Sequence, residues 1–173
     1  MNQSHTISAA TEEDIPALLQ LVNSAYRGDS SRAGWTTEAD LLDGIRTNEA
    51  SLREMIRKPY ATILLCKDLA GTLAGCVYLE QMGKSLYLGM LTVSPLLQAQ
   101  GIGKQLLRAA EDTARSKQCT SIQMTVISIR SELIAWYERH GYAKTGQTQP
   151  FPTDEKFGIP KQKLEFIVMR KRI

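Results

Sequence analysis

The stretch "SLYLGMLTVSPLLQAQGIGKQLLRAAEDTARSKQ" constrains the fold more than any other part of the chain. It opens on a nearly continuous apolar run, with Leu86, Leu88, Met90, Leu91 and Val93, which predicts a buried strand. It closes with Ile102, Leu106, Ala110 and Ala114 spaced along one face of a helix. Between the two lies a loop carrying Gly101 and Gly103. A strand that passes through such a loop into a helix leaves free backbone N–H groups and the positive end of the helix dipole at the junction. Glycine matters there because a Cβ would hold an anion away from the amides. Spacing alone leaves two readings open: a phosphate cradle, or glycines that let the helix pack tightly on a strand. It excludes a Walker A loop, since Lys104 is followed by Gln105, and a dinucleotide GxGxxG, since no third glycine follows.

The flanking sequence predicts a mixed architecture. "HTISAA" is a short strand, and Thr11 with Asp14 forms a capping-box pattern before a helix whose apolar face is Ile15, Leu18, Leu19, Val22 and Tyr26. After the loop "RGDSSRAG", two short helices are expected over "TTEADLLDGIR" and "NEASLREMIRK", the second stopped by Pro59. "YATILLCKD", "TLAGCVYLEQ" and "SLYLGMLTVSP" then form an antiparallel meander. Beyond the opening stretch come the strand "SIQMTVIS", the helix "SELIAWYERH" with Gly141 as a left-handed C-cap, and two late strands, "YAKTGQTQ" and "KLEFIVMRK". The strand–helix–strand around the glycines implies a parallel crossover, so the expectation is one α/β domain over residues 1–173 with a mixed sheet. Gly89 in mid-strand predicts a bulge at residues 89–91, which would splay this strand from its parallel neighbour, and a plain packing glycine is the alternative.

Charge and cysteines narrow the partners. The 21 basic and 18 acidic side chains leave a net charge of +3, too small to argue for nucleic acid or an anionic membrane. No apolar run is long enough to span a bilayer and the N-terminal residues lack the pattern of a signal peptide, so a cytoplasmic location is expected. Cys66, Cys76 and Cys119 lie far apart with no metal-ligand spacing, which predicts free thiols, no metal and no cysteine nucleophile.

"LTVSP" followed by "QAQGIGK" resembles the acyl-CoA signature of the GNAT superfamily of N-acetyltransferases, with Gln98, Gly101 and Gly103 at its fixed positions. "LIAWYERHGY" is similar to that family's later tyrosine segment. The resemblance implies the GNAT fold, a mostly antiparallel sheet splayed between two parallel strands, and acetyl-CoA as cofactor. It implies that Leu91, Thr92 and Val93 meet the pantetheine arm. It likewise implies that the backbone of Gln98, Ala99, Gln100, Gly101, Ile102, Gly103 and Lys104 holds the pyrophosphate. Leu133 and Tyr137 on the later helix would complete the cofactor side. Many family members carry Asn where this chain has Arg130, which could reach a CoA phosphate or an acidic substrate group.

By the same resemblance, Tyr137 is the general acid near the CoA sulfur and the backbone N–H of Leu91 the oxyanion donor, with a core aromatic beside Trp136 as the alternative reading of Tyr137. Glu80 is the candidate base, and a surface glutamate is its ordinary alternative. His140 reads as a helix C-terminal cap. In the family the N-terminal helices and the last hairpin build the acceptor cleft. Tyr26, Arg27, Trp35 and Glu38, joined by Glu80, are therefore the substrate candidates, and their mix of charges suggests a small polar amine, zwitterionic or carboxylate-bearing. The expected activity is direct acetyl transfer to a primary amine. A non-catalytic acyl-CoA-binding module is the alternative, and exposed edges near the C-terminus make a homodimer conceivable.

Overall fold

Continuous burial of residues 74–79 in the central strand and period-3.6 burial along the helices place apolar side chains on both faces of one sheet. The computed structural model describes residues 4–26, 38–39, 41–43, 45–152 and 158–173. The chain runs through β1 (Thr6–Ala9), a 3-10 turn (Glu12–Asp14), α1 (Ile15–Tyr26), β2 (Leu42–Asp43), α2 (Glu49–Arg57), β3 (Ala61–Lys67), β4 (Leu73–Met82) and β5 (Ser85–Val93). It continues as α3 (Ile102–Ser116), β6 (Ser121–Ile127), α4 (Ser131–Arg139), β7 (Ala143–Pro150), β8 (Ile159–Pro160) and β9 (Glu165–Arg172). Seven strands form one mixed sheet in the order β1-β3-β4-β5-β6-β9-β7, in which β5 and β6 are the parallel neighbours.

Helices cover both faces. On one, Ile15, Leu18 and Val22 of α1 and Leu52 of α2 pack on Ile63, Leu65, Cys76, Tyr78 and Met90. On the other, Ile102, Leu106 and Ala110 of α3 and Tyr137 of α4 pack on Leu79, Leu86, Leu88, Ile122 and Met124. Each fully buried Leu or Ile contributes about 1.5–3 kcal/mol relative to exposure. Local signals set the ends of α2: the Asn48 side chain accepts from the Ser51 N–H at 2.8 Å, and Lys58 is extended at ψ 129° because Pro59 follows. Gly141 closes α4 at φ +93°, the left-handed cap expected.

One expectation is met and one is corrected. The bulge falls at the expected residues, 89–91, with Met90 in the left-handed conformation at φ +52°. Cys76 faces Thr92 and Tyr78 faces Gly89, so Met90 and Leu91 together oppose Val77. Gly89 serves packing, since a Cβ there would come within 3.0 Å of the Tyr87 ring. The helix expected over "TTEADLLDGIR" is absent at Leu42–Asp43, which pair antiparallel with Ile159 and Pro160. Lys161 reinforces this ladder, its backbone N–H donating to the Leu41 carbonyl and its Nζ to the Ala39 carbonyl, each at 2.8 Å. Backbone bonds to a distant loop outweigh the weak helical preference of a segment that carries Asp43 and Gly44.

Parallel pairing of β5 with β6 covers Ser85–Ser121, Leu86–Ile122 and Tyr87–Gln123 and then stops. Beyond Tyr87 the bulge turns β5 away, and the sheet opens into the cleft that holds the candidate site.

Candidate active site

The glycine loop leads from β5 into α3 through a left-handed residue. Gly101 caps the helix at φ +80° and ψ 8°, and an added Cβ there would meet nothing within 4 Å. Ala99 also has positive φ, +65°, an uncommon conformation for a residue with a Cβ and one that gathers at functional sites. The first intrahelical bond runs from the Gln105 N–H to the Gly101 carbonyl at 3.0 Å, so the N–H groups of Gly101, Ile102, Gly103 and Lys104 precede the ladder. Gly103 works differently. Its Cβ position lies 3.2 Å from the Trp136 ring, so the missing side chain lets α3 approach α4. The loop thus combines an open helix cap at Gly101 with close helix packing at Gly103.

These amides border a cavity of about 490 Å³, lined also by Ala25 and Tyr26 at the end of α1 and by Val93, Gln98, Leu133 and Trp136. Arg139 and His140 complete its rim. A second cavity of about 580 Å³ lies in the splayed part of the sheet, among Tyr87, Gly89, Met124, Val126, Phe151 and Phe166. Tyr26, Leu91, Arg130, Leu133 and Tyr137 line both.

The shared wall is built from several elements. Tyr26 donates its hydroxyl hydrogen to the Leu91 carbonyl, tying α1 to the bulge. The Met90 carbonyl accepts from the Thr92 hydroxyl at 2.9 Å and from the Cys76 thiol at 3.8 Å, so the bulge is pinned from inside. Tyr137 packs edge-on to Trp136 and Tyr142, with ring centroids 5.2 and 5.8 Å away. Burial pushes its pKa well above that of an ordinary tyrosine, as it does for Tyr26, so both phenols keep their protons. Burial also pushes the Cys76 thiol up to about 12, which leaves it a thiol and no nucleophile.

Charged groups in the cleft are arranged unevenly. Arg130 Nη1 meets Glu38 Oε2 at 3.0 Å, and both residues are buried. A buried pair of this kind is costly to break from one side, since the remaining charge loses its partner in low dielectric. Glu80 bonds Lys58 Nζ at 2.9 Å and accepts from the Tyr78 hydroxyl at 2.9 Å. The Lys58 bond foremost, with that of Tyr78, holds the Glu80 carboxyl below the usual carboxylate range. It stands ionised in the second cavity and is a weakened proton acceptor.

Of the residues expected at the cofactor side, Leu91, Thr92, Val93, Gln98, Ala99, Gly101, Ile102, Gly103, Lys104, Arg130, Leu133 and Tyr137 line the first cavity, and Gln100 does not. Tyr26, Glu38 and Glu80 of the acceptor candidates line the second, whereas Arg27 and Trp35 lie outside the described residues. Trp136, Arg139 and His140 join the first cavity without having been expected there. His140 does cap locally, with Nδ1 2.7 Å from the Trp136 carbonyl. Its i, i+4 spacing from Trp136, with the rings 4.3 Å apart, was the available signal that both share a helix face.

Among the described residues no group of His, Cys, Asp and Glu could hold a metal ion, and no helix is long and apolar enough to cross a membrane. The acetyltransferase (GNAT) family model matches residues 16–142. No curated protein sequence matches the chain. Among solved structures, the fold is similar to the ribosomal-protein-S18-alanine N-acetyltransferase from Escherichia coli, with TM-score 0.72, 18% identity, and coverage of 98% of this chain and 94% of that one. It is also similar to the PaiA N-acetyltransferase from Thermoplasma acidophilum in complex with coenzyme A, with TM-score 0.72, 20% identity, and coverage of 98% and 99%. The IAA acetyltransferase from Bacillus cereus shares it too, with TM-score 0.68, 18% identity, and coverage of 98% and 100%. With the family model spanning the central strands, the glycine loop and the tyrosine helix, this chain belongs to the GNAT family of acetyltransferases, enzymes that use acetyl-CoA.

Proposed function

We propose that the chain, acting as a single domain, N-acetylates the primary amine of a small-molecule acceptor by direct transfer within a ternary complex. The observation that carries this reading is the common wall of Tyr26, Leu91, Arg130, Leu133 and Tyr137. Donor and acceptor held in the two cavities meet there, and the three cysteines are buried, none of them poised to carry the acetyl group between the two. Acetyl-CoA fits the first cavity. The amides from Gly101 to Lys104, the open space at the Gly101 Cβ position, and the cations of Lys104 and Arg139 suit a pyrophosphate, and Val93, Leu133 and Trp136 suit the pantetheine arm. When bound, it supplies a thioester already activated toward amines.

The chain's own groups then have separate roles. Leu91 lies in the bulge, outside the register of β4, and its N–H is assigned to the thioester oxygen. Tyr137, kept protonated by burial, gives its Oη proton to the departing sulfur. Glu80 holds the incoming ammonium by charge, and because its basicity is lowered the amine proton leaves through water. Leu41, Phe151 and Phe166 pack with Ile127 and Leu164 beside the β2–β8 ladder, and Phe151 and Phe166 wall the second cavity. Its volume of about 580 Å³ suits a small amine.

The test combines calorimetric titration with acetyl-CoA and an amine panel read by free CoA release. Wild type is expected to bind acetyl-CoA and to release CoA with some small amines. Gly101→Glu, whose Cβ has space but whose side chain would occupy the cradle, is expected to lose binding while still folding. Unchanged affinity in that variant overturns the cradle assignment, and binding without CoA release from any amine overturns the transfer reading.

A further inference from the structure

Among the described residues, most charged side chains that line the second cavity have an ion-pair partner. Arg130 is answered by Glu38, and Glu80 by Lys58. Arg46 also lines this cavity, with its guanidinium carbon 5.5 Å from the centre of the Tyr26 ring. Among the described residues no carboxylate lies within ion-pair distance of it. Its backbone, by contrast, is held firmly. Asn23 Oδ1 accepts from the N–H groups of Arg46 and Thr47 at 2.8 and 3.0 Å, and Asn23 Nδ2 donates to the Thr47 carbonyl at 3.0 Å. One side chain of α1 thus clamps the segment, and the next turn of α1 supplies the ring on which the guanidinium rests. An arginine placed in this way is preorganised for a planar, two-oxygen anion.

We propose that Arg46 binds a carboxylate of the acceptor, so that the acceptor is a compact amino acid and not a simple amine. This inference rests on the acetyl-transfer reading above. The same tyrosine links the two ends of such a molecule: its ring carries Arg46 and its hydroxyl bonds the Leu91 carbonyl at the transfer point. Arg46 and the Leu91 carbonyl thus both lie against Tyr26, which favours amino acids with the carboxylate and the amine close together. Arg46 touches the acceptor only and takes no part in proton transfer.

The experiment compares, on the full chain with acetyl-CoA, each of a set of amino acids with its carboxamide and its decarboxylated amine. An arginine–carboxylate contact predicts a preference for the free acid of about ten- to a hundredfold in kcat/KM. Arg46→Ala is expected to remove this preference by raising the acceptor KM while leaving calorimetric affinity for acetyl-CoA unchanged. Arg46→Lys, which keeps the charge but not the fork, is expected to recover part of it. The wild-type comparison needs no variant to fold: equal rates for acid, carboxamide and amine overturn the carboxylate anchor and leave acetyl transfer standing. A preference that survives in Arg46→Ala overturns the assignment to Arg46. No CoA release from any member overturns the transfer reading and this inference with it.

Discussion

Tyr137 is proposed to serve both as a core aromatic and as the catalytic acid, two roles that look exclusive on paper. It is buried at 6% exposure and packs on neighbouring rings, yet it lines both cavities. Burial is also what suits it to give up a proton only when a strong base forms beside it. The sign of the effect follows from the charge of the ionised form. A phenolate is the charged species, burial disfavours it, and the raised pKa keeps Tyr137 protonated at pH values where an exposed tyrosine has begun to ionise. Activity should therefore show no alkaline decline from this group up to about pH 10, the ordinary tyrosine range. Tyr137→Phe is expected to lower kcat by about a hundredfold, the low end for general acid catalysis, because a thiolate is already a fair leaving group. Affinity for acetyl-CoA measured by calorimetry should persist, and a wild-type kcat in this variant would remove Tyr137 as the acid.

The junction of β5, the glycine loop and α3 assigns different physical work to residues only two positions apart. Gly101 takes a backbone conformation that side chains avoid, in open space, whereas Gly103 lies against the Trp136 ring. Substitution should separate them. Gly103→Val forces atoms into that contact and is expected to destabilise the protein by about 1–3 kcal/mol, the usual range for overpacking. Thermal melts would read it as a lowered Tm, with a smaller loss of acetyl-CoA affinity than Gly101→Glu causes. A Gly103→Val protein with unchanged Tm would show that α3 and α4 do not depend on this approach.

Across the molecule, the sheet is two halves joined by a short seam. β1, β3, β4 and β5 form one part, β6, β9 and β7 the other, and the parallel ladder between them spans Ser85–Tyr87 and Ser121–Gln123. The first cavity draws its lining from β5 and α3 on one side of the seam and from α4 after β6 on the other. A ligand there touches both halves and should couple them. Saturating acetyl-CoA, at about a hundred times its Kd, is expected to add about 2.7 kcal/mol to stability by mass action. Hydrogen exchange should slow in β6 and α4 as well as at the start of α3, and protection confined to α3 would show that the halves respond independently.

Much of this was legible in the residues. Apolar periodicity marked the main strands and helices, Pro59 the end of α2, and the strand–glycine–helix junction the proposed cofactor side, because each of these depends on neighbours a few positions away. The bulge could be located but its left-handed residue could not, since Met90 is held there by Cys76 and Thr92, which bond its carbonyl from inside the sheet. Leu42–Asp43 became a strand because the distant Ile159–Pro160 supplied backbone partners, and no local preference records such an offer. The pairing of Arg130 with Glu38, 92 residues apart, and the clamp of Asn23 beneath Arg46 belong to the same class. Short-range spacing chose the elements and the place of the glycine loop. Long-range contacts chose how charge is paired in the cleft and where Arg46 is held, because those energies exist only once the chain has folded back on itself.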